Sequence, residues 1–93
     1  MNKEDFKKKA KKGIDDIFAK IDELEAKKSK VEGDVKAEYE EKLNNLKSKK
    51  KELQAKHDEL FSASDEKWEE VKSAFSSATD SFKEGFSKIA SLI

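Results

Sequence analysis

The amino-acid sequence predicts an all-α protein, and three observations lead there. The 93-residue chain has no proline and three glycines, so a turn-rich β architecture lacks its usual punctuation. Ala, Glu, Lys and Leu dominate and charged residues make up 45% of the chain, the composition of long helices and coiled coils. Apolar residues recur at steps of three and four along most of the length. Alanine apart, the larger apolar side chains are too few for a two-layer domain that buries both faces of its elements. The expectation is therefore a single all-helical coiled-coil domain over residues 1–93.

The first element is a long helix with a narrow apolar seam. Ile14, Ile17, Ile21, Leu24, Val31 and Val35 follow the three-four step, and Tyr39, Leu43, Leu46, Leu53 and Leu60 continue it. Lys28, Lys50 and His57 occupy the slots between. This heptad stripe is narrower than the face of a globular core, so the helix needs a second helix against it. Acids stand four residues before lysines at Glu4/Lys8, Asp5/Lys9, Asp16/Lys20, Glu23/Lys27, Glu32/Lys36, Glu38/Lys42, Glu52/Lys56 and Glu84/Lys88. Each such pair contributes about 0.2–0.5 kcal/mol to an isolated helix. Gly33-Asp34 is one candidate break, a C-capping glycine before an N-capping aspartate. Because the apolar spacing crosses it without a gap, the reading favours a helix running uninterrupted to about Phe61.

The pattern changes after Leu60. Leu60, Val71, Phe82 and Ile93 recur every eleven residues, as do Ser64, Phe75 and Phe86, which suits a nearly straight or slightly right-handed helix. Eight of the ten serines lie beyond Leu60. A second helix of about 28 residues is expected there. Ser62 or Ser64 is its expected cap, with Asp65 and Glu66 in its first turn. Trp68, Val71, Phe75, Ala78, Phe82, Phe86 and Ile89 fall on one face, opposite a face rich in serine. The expected architecture is a long coiled-coil helix plus this amphipathic helix, as a helical hairpin or a self-associated bundle. The alternative is a three-helix bundle broken near Gly33 and Ser64, with helices of near-equal length.

Candidate chemistry is sparse. Cysteine is absent, which removes disulfides and zinc-thiolate sites. His57, the only histidine, has no second imidazole to share a metal or complete a triad, and reads as a polar seam residue that helps set register. The acidic clusters lack the glycine and alternating ligands of a calcium loop. No catalytic residue, cofactor-binding residue or metal ligand is assigned, and an enzyme is the class least expected. All 21 cations are lysine, so bidentate grips on phosphate are missing. The run Lys7-Lys8-Lys9-Ala10-Lys11-Lys12 reads as a solvated helix end, and nucleic acid is disfavoured as a partner. The aromatic face has two readings. It buries against the seam or against another copy, contributing about 2 kcal/mol per large side chain, or it inserts into a lipid surface. The first is favoured. The charged opening residues do not suit a signal peptide, and no run approaches the ~18 apolar residues of a membrane span, so cytoplasm is the expected compartment.

The elements Lys36-Ala37-Glu38-Tyr39 and Ala63-Ser64 with Trp68 and Lys72 resemble a family of short bacterial coiled-coil stress-response proteins first described in cyanobacteria. The resemblance extends in a coarse heptad sense over residues 20–90. Where that family often has a second tryptophan, this chain has Thr79, flanked by Phe75 and Phe82. The resemblance implies a small helical non-enzymatic protein linked to stress, with no catalytic residues to transfer. The expected partners are the chain itself, another helical protein or a membrane surface.

Overall fold

A computed structural model describes residues 2–92, which form three α-helices and one short 3-10 turn. Helix α1 spans Lys3–Lys27, α2 spans Val35–Ser62 and α3 spans Trp68–Ala90. Among the described residues there is no strand. The helices run up, down and up in a rod of 51 × 18 × 17 Å. Helix α2 packs along both neighbours, whereas the backbones of α1 and α3 approach each other less closely.

The start of α1 and the first turn have local causes. The Asn2 side chain accepts the backbone N–H of Asp5 at 2.8 Å, and Glu4 and Asp5 sit at the positive end of the α1 dipole. The chain then breaks where the sequence reading ran the helix through. After α1, Lys28–Lys30 form a 3-10 turn and Val31 becomes extended. Gly33 takes φ +78°, a left-handed conformation that a Cβ disfavours, and its carbonyl accepts the N–H of Lys36 at 3.2 Å. The uninterrupted helix to Phe61 is thus corrected to two helices joined by a tight turn. Unbroken spacing was a misleading cue, because Val31 is buried from within the connection and the heptad count survives the bend. Asp34 precedes α2 without a side-chain cap hydrogen bond.

The second break falls where the change of pattern placed it, but with different chemistry. Ser62 hydrogen-bonds back to the carbonyl of Asp58 at 3.0 Å inside its own helix, and no side chain caps α3. The expected Ser62 or Ser64 cap is therefore corrected. Asp65 and Glu66 lie in the connecting turn, and the acids of the first turn are Glu69 and Glu70. Helix α3 is accordingly 23 residues long, shorter than expected. Ile93, the last member of the eleven-residue repeat, lies outside the described residues.

The core is one continuous cluster. It takes Ala10, Ile14, Ile17, Ile21 and Leu24 from α1, Tyr39, Leu43, Leu46, Leu53 and Leu60 from α2, and Phe75, Phe82 and Ile89 from α3, with Val31 sealing the first turn. Close approach is tightest at Gly85, where a Cβ would stand 2.6 Å from a methyl group of Leu46, so α3 lies directly on α2 there. Of the eight anticipated acid–lysine pairs, Glu23–Lys27, Glu38–Lys42 and Glu84–Lys88 close to within 4 Å. All three are solvated, and their net worth is small.

Gly33→Ala should lower stability by about 1 kcal/mol, since alanine must hold a left-handed backbone. Urea unfolding followed by circular dichroism measures this. An unchanged or raised midpoint would show that the turn does not need glycine.

Candidate interaction surface

The aromatic face of α3 is built into the bundle. Phe75, Phe82 and Ile89 are buried against the α2 seam, while Trp68, Val71 and Phe86 are half-buried at its margins. The predicted seam residues Ile14, Ile17, Ile21, Leu24, Tyr39, Leu46, Leu53 and Leu60 are all buried on the facing helices. One chain therefore brings together both sets of residues. Lys50, which interrupts the seam in sequence, lies with its ammonium 4.9 Å from the centre of the Phe18 ring, a cation–π contact that lets a lysine flank the core.

Tyr39 carries more than apolar surface. It is fully buried, and its hydroxyl donates to the Leu24 carbonyl at 2.6 Å, near the end of α1 where helix carbonyls run out of partners. Burial raises the Tyr39 pKa, the Lys27 charge opposes that rise, and Glu25 and Glu23 add to it. Nearby, Lys47 of α2 reaches Glu25 of α1 at 3.2 Å and holds its carboxyl below the ordinary range, despite the opposing desolvation. Glu23 is lowered by Lys27 and Lys20.

The far end of the rod gathers aromatic rings and lysines that sequence spacing did not connect. Phe6 meets Trp68 edge-on, with ring centres 5.7 Å apart, and Phe75 at 6.5 Å. Phe61, the one large apolar side chain exposed among the described residues, packs tilted against His57 with ring centres 4.4 Å apart. Both ring nitrogens of His57 are buried without a hydrogen-bond partner among the described residues, and Asp58 is 3.7 Å from one of them. Here the histidine serves as a packed ring. Lys3 donates to the Ala63 carbonyl at 3.2 Å and to Asp65 at 3.0 Å, and Lys7 donates to the Phe61 carbonyl at 3.3 Å. Part of the lysine-rich start thus closes the open carbonyl end of α2. Lys8, Lys9, Lys11 and Lys12 remain exposed.

Grooves remain at the surface between the helices. Between α2 and α3 a trough of about 410 Å³ has a floor of Leu53, Ala74, Ala78 and Phe82. It adjoins one of about 260 Å³ over Leu46 and Gly85. Lys42, Lys49 and Lys56 edge this trough from α2, and Ser77 and Ser81 edge it from α3. The seven-residue spacing of those lysines was present in the sequence, but nothing there showed that they share one edge. Between α1 and α3 a second groove of about 410 Å³ runs over Ala10, Gly13, Ile17 and Phe75. Among the described residues, no group of three or more His, Cys, Asp or Glu side chains is arranged to hold a metal ion. No described helix is long and apolar enough to cross a membrane.

Comparison with protein-family models, with curated proteins and with solved structures finds no match for this chain.

Tyr39→Phe should cost about 1–2 kcal/mol at neutral pH by leaving the Leu24 carbonyl without its donor. A tyrosine raised by folding contributes stability that is complete below the unfolded value near ~10 and is lost as pH rises through the folded one. Unfolding midpoints at neutral and alkaline pH should therefore converge between parent and variant. A constant gap would contradict the buried hydroxyl.

Proposed function

We propose that this chain is a non-enzymatic helical protein that works by binding other helices, a second copy of itself or another helical protein. One observation carries the reading. The large apolar side chains pack in or against one core, and the grooves along the helices among the described residues are open troughs rather than an enclosed cavity with converging polar groups. Troughs of this kind suit a helix better than a small substrate. The resemblance of Lys36–Tyr39 and of the Trp68 region to bacterial stress-response coiled-coil proteins agrees with this reading and suggests a stress setting in the cytoplasm.

A second reading, attachment to a membrane surface, draws on the end cluster. Trp68 is half-buried, Phe61 is 42% exposed, and Lys3 and Lys7 lie over these two rings at 5.3 and 5.8 Å. Aromatic rings beside lysines are favoured at anionic interfaces. Insertion of the whole segment 65–93 would require the bundle to open, because Phe75, Phe82 and Ile89 hold α3 in place.

Sedimentation equilibrium at increasing concentration, with Trp68 emission read in the same samples, tests the first reading. The weight-average mass should climb above 10.6 kDa while the emission stays constant, because the tryptophan environment is set within each chain. A mass fixed at 10.6 kDa throughout would remove self-association. Flotation with anionic vesicles tests the second reading, and protein left at the bottom of the gradient would remove it.

A further inference from the structure

The outer surface of the rod is charged unevenly, and two of its faces match. The trough between α2 and α3 is edged by Lys42, Lys49, Lys56 and Lys88 against Glu52 and Glu84. Lys42 is engaged by Glu38 at 3.7 Å and Lys88 by Glu84 at 3.1 Å. Lys49 and Lys56 have no carboxylate within 4 Å among the described residues. They stand seven residues apart, about 10.5 Å along a helix. Below them the trough opens because α3 presents only Ala74, Ala78 and Gly85 there.

The outer face of α1 is the counterpart. Residues 15–26 carry five acids against Lys20 alone. Ala19 and Ala26 are exposed on the side opposite Ile14, Ile17 and Ile21, with Asp15 and Asp22 beside them. Asp16 is engaged by Lys12, and Glu23 by Lys20 and Lys27, whereas Asp15 and Asp22 have no lysine within 4 Å among the described residues. Asp15 and Asp22 also stand seven residues apart, as do Ala19 and Ala26. A helix face of small residues flanked by acids at this interval fits an apolar trough flanked by lysines at the same interval.

We propose that a second copy of this chain lays the outer face of its α1 in the α2–α3 trough, Asp15 and Asp22 meeting Lys49 and Lys56 and Ala19 and Ala26 facing the floor. This rests on the helix-binding reading above and specifies its partner. The trough is lined by α2 and α3, and the acidic face of α1 points away from both. The contact is therefore heterologous: each added copy presents a fresh acidic face and a fresh trough, and the assembly grows as an open chain.

Sedimentation equilibrium of charge-reversed variants tests this, with circular dichroism confirming that each is helical. At low salt the parent mass should rise with concentration past twice 10.6 kDa without a plateau, and it should fall back at about 0.5 M salt, where exposed charges are screened. Lys49→Glu with Lys56→Glu, and separately Asp15→Lys with Asp22→Lys, should each weaken association at least about tenfold. An equimolar mixture of the two should restore it, and a misfolded variant could not do so. If either pair fails to fold, Lys49→Gln with Lys56→Gln and Asp15→Asn with Asp22→Asn should shift association the same way. Association that ignores the substitutions, or a mixture that does not recover, overturns this contact and leaves self-association through another face. A parent that stays at 10.6 kDa at low salt overturns both the contact and the self-association reading.

Discussion

The structure depends on one constraint: each helix has a single narrow apolar stripe, and α2 must satisfy the stripes of both neighbours at once. Leu43, Leu46, Leu53 and Leu60 form a ladder down α2 that is at most 3% exposed. Along the stretch from Lys42 to Glu59, only Leu43, Leu46 and Leu53 are large and apolar. Such a helix has no stability alone, since nucleation is costly and three leucines cannot offset it. It becomes stable because the turn at Gly33 delivers the isoleucines of α1 to one flank and the turn after Ser62 delivers Phe75, Phe82 and Ile89 to the other. The charged exterior then keeps the rod hydrated but contributes little to its stability.

The same economy governs the helix ends. Carbonyls at a helix C-terminus have no partners within the helix. Tyr39 of α2 supplies a hydroxyl near the end of α1, while Lys3 and Lys7 of α1 supply ammonium groups at the end of α2. Each cap is also a tertiary contact, so ending one helix correctly and docking the next are a single event. The aromatic cluster of Phe6, Trp68 and Phe75 lies beside the second of these caps and ties α1 to α3 where their backbones stand apart.

Much of this was legible in the sequence. Three-four spacing identified the seam from Ile14 to Leu60, and the aromatic face from Trp68 to Ile89, because a buried stripe leaves a periodic trace whatever it packs against. The break at Gly33 is hidden from apolar spacing, which records which residues are buried and is blind to a bend that preserves the count. Capping was illegible for a different reason. Lys3 and Lys7 reach Ala63 and Phe61, more than fifty positions away, and no local pattern encodes that distance. The serines expected to cap α3 turned back on their own helix or stayed in the turn. Likewise the lysine-edged trough exists only because Ala74, Ala78 and Gly85 of α3 face the lysines of α2, a pairing of two surfaces that one-dimensional spacing does not contain.

If α2 holds both neighbours, the three helices form one cooperative unit. Residue-by-residue hydrogen exchange of Leu53→Ala against the parent measures this directly. The account predicts that protection in the centres of α1, α2 and α3 falls together, by about 2–5 kcal/mol, because a buried leucine of the shared ladder has been removed. Protection lost in α2 and α3 while α1 keeps its parental value would contradict it.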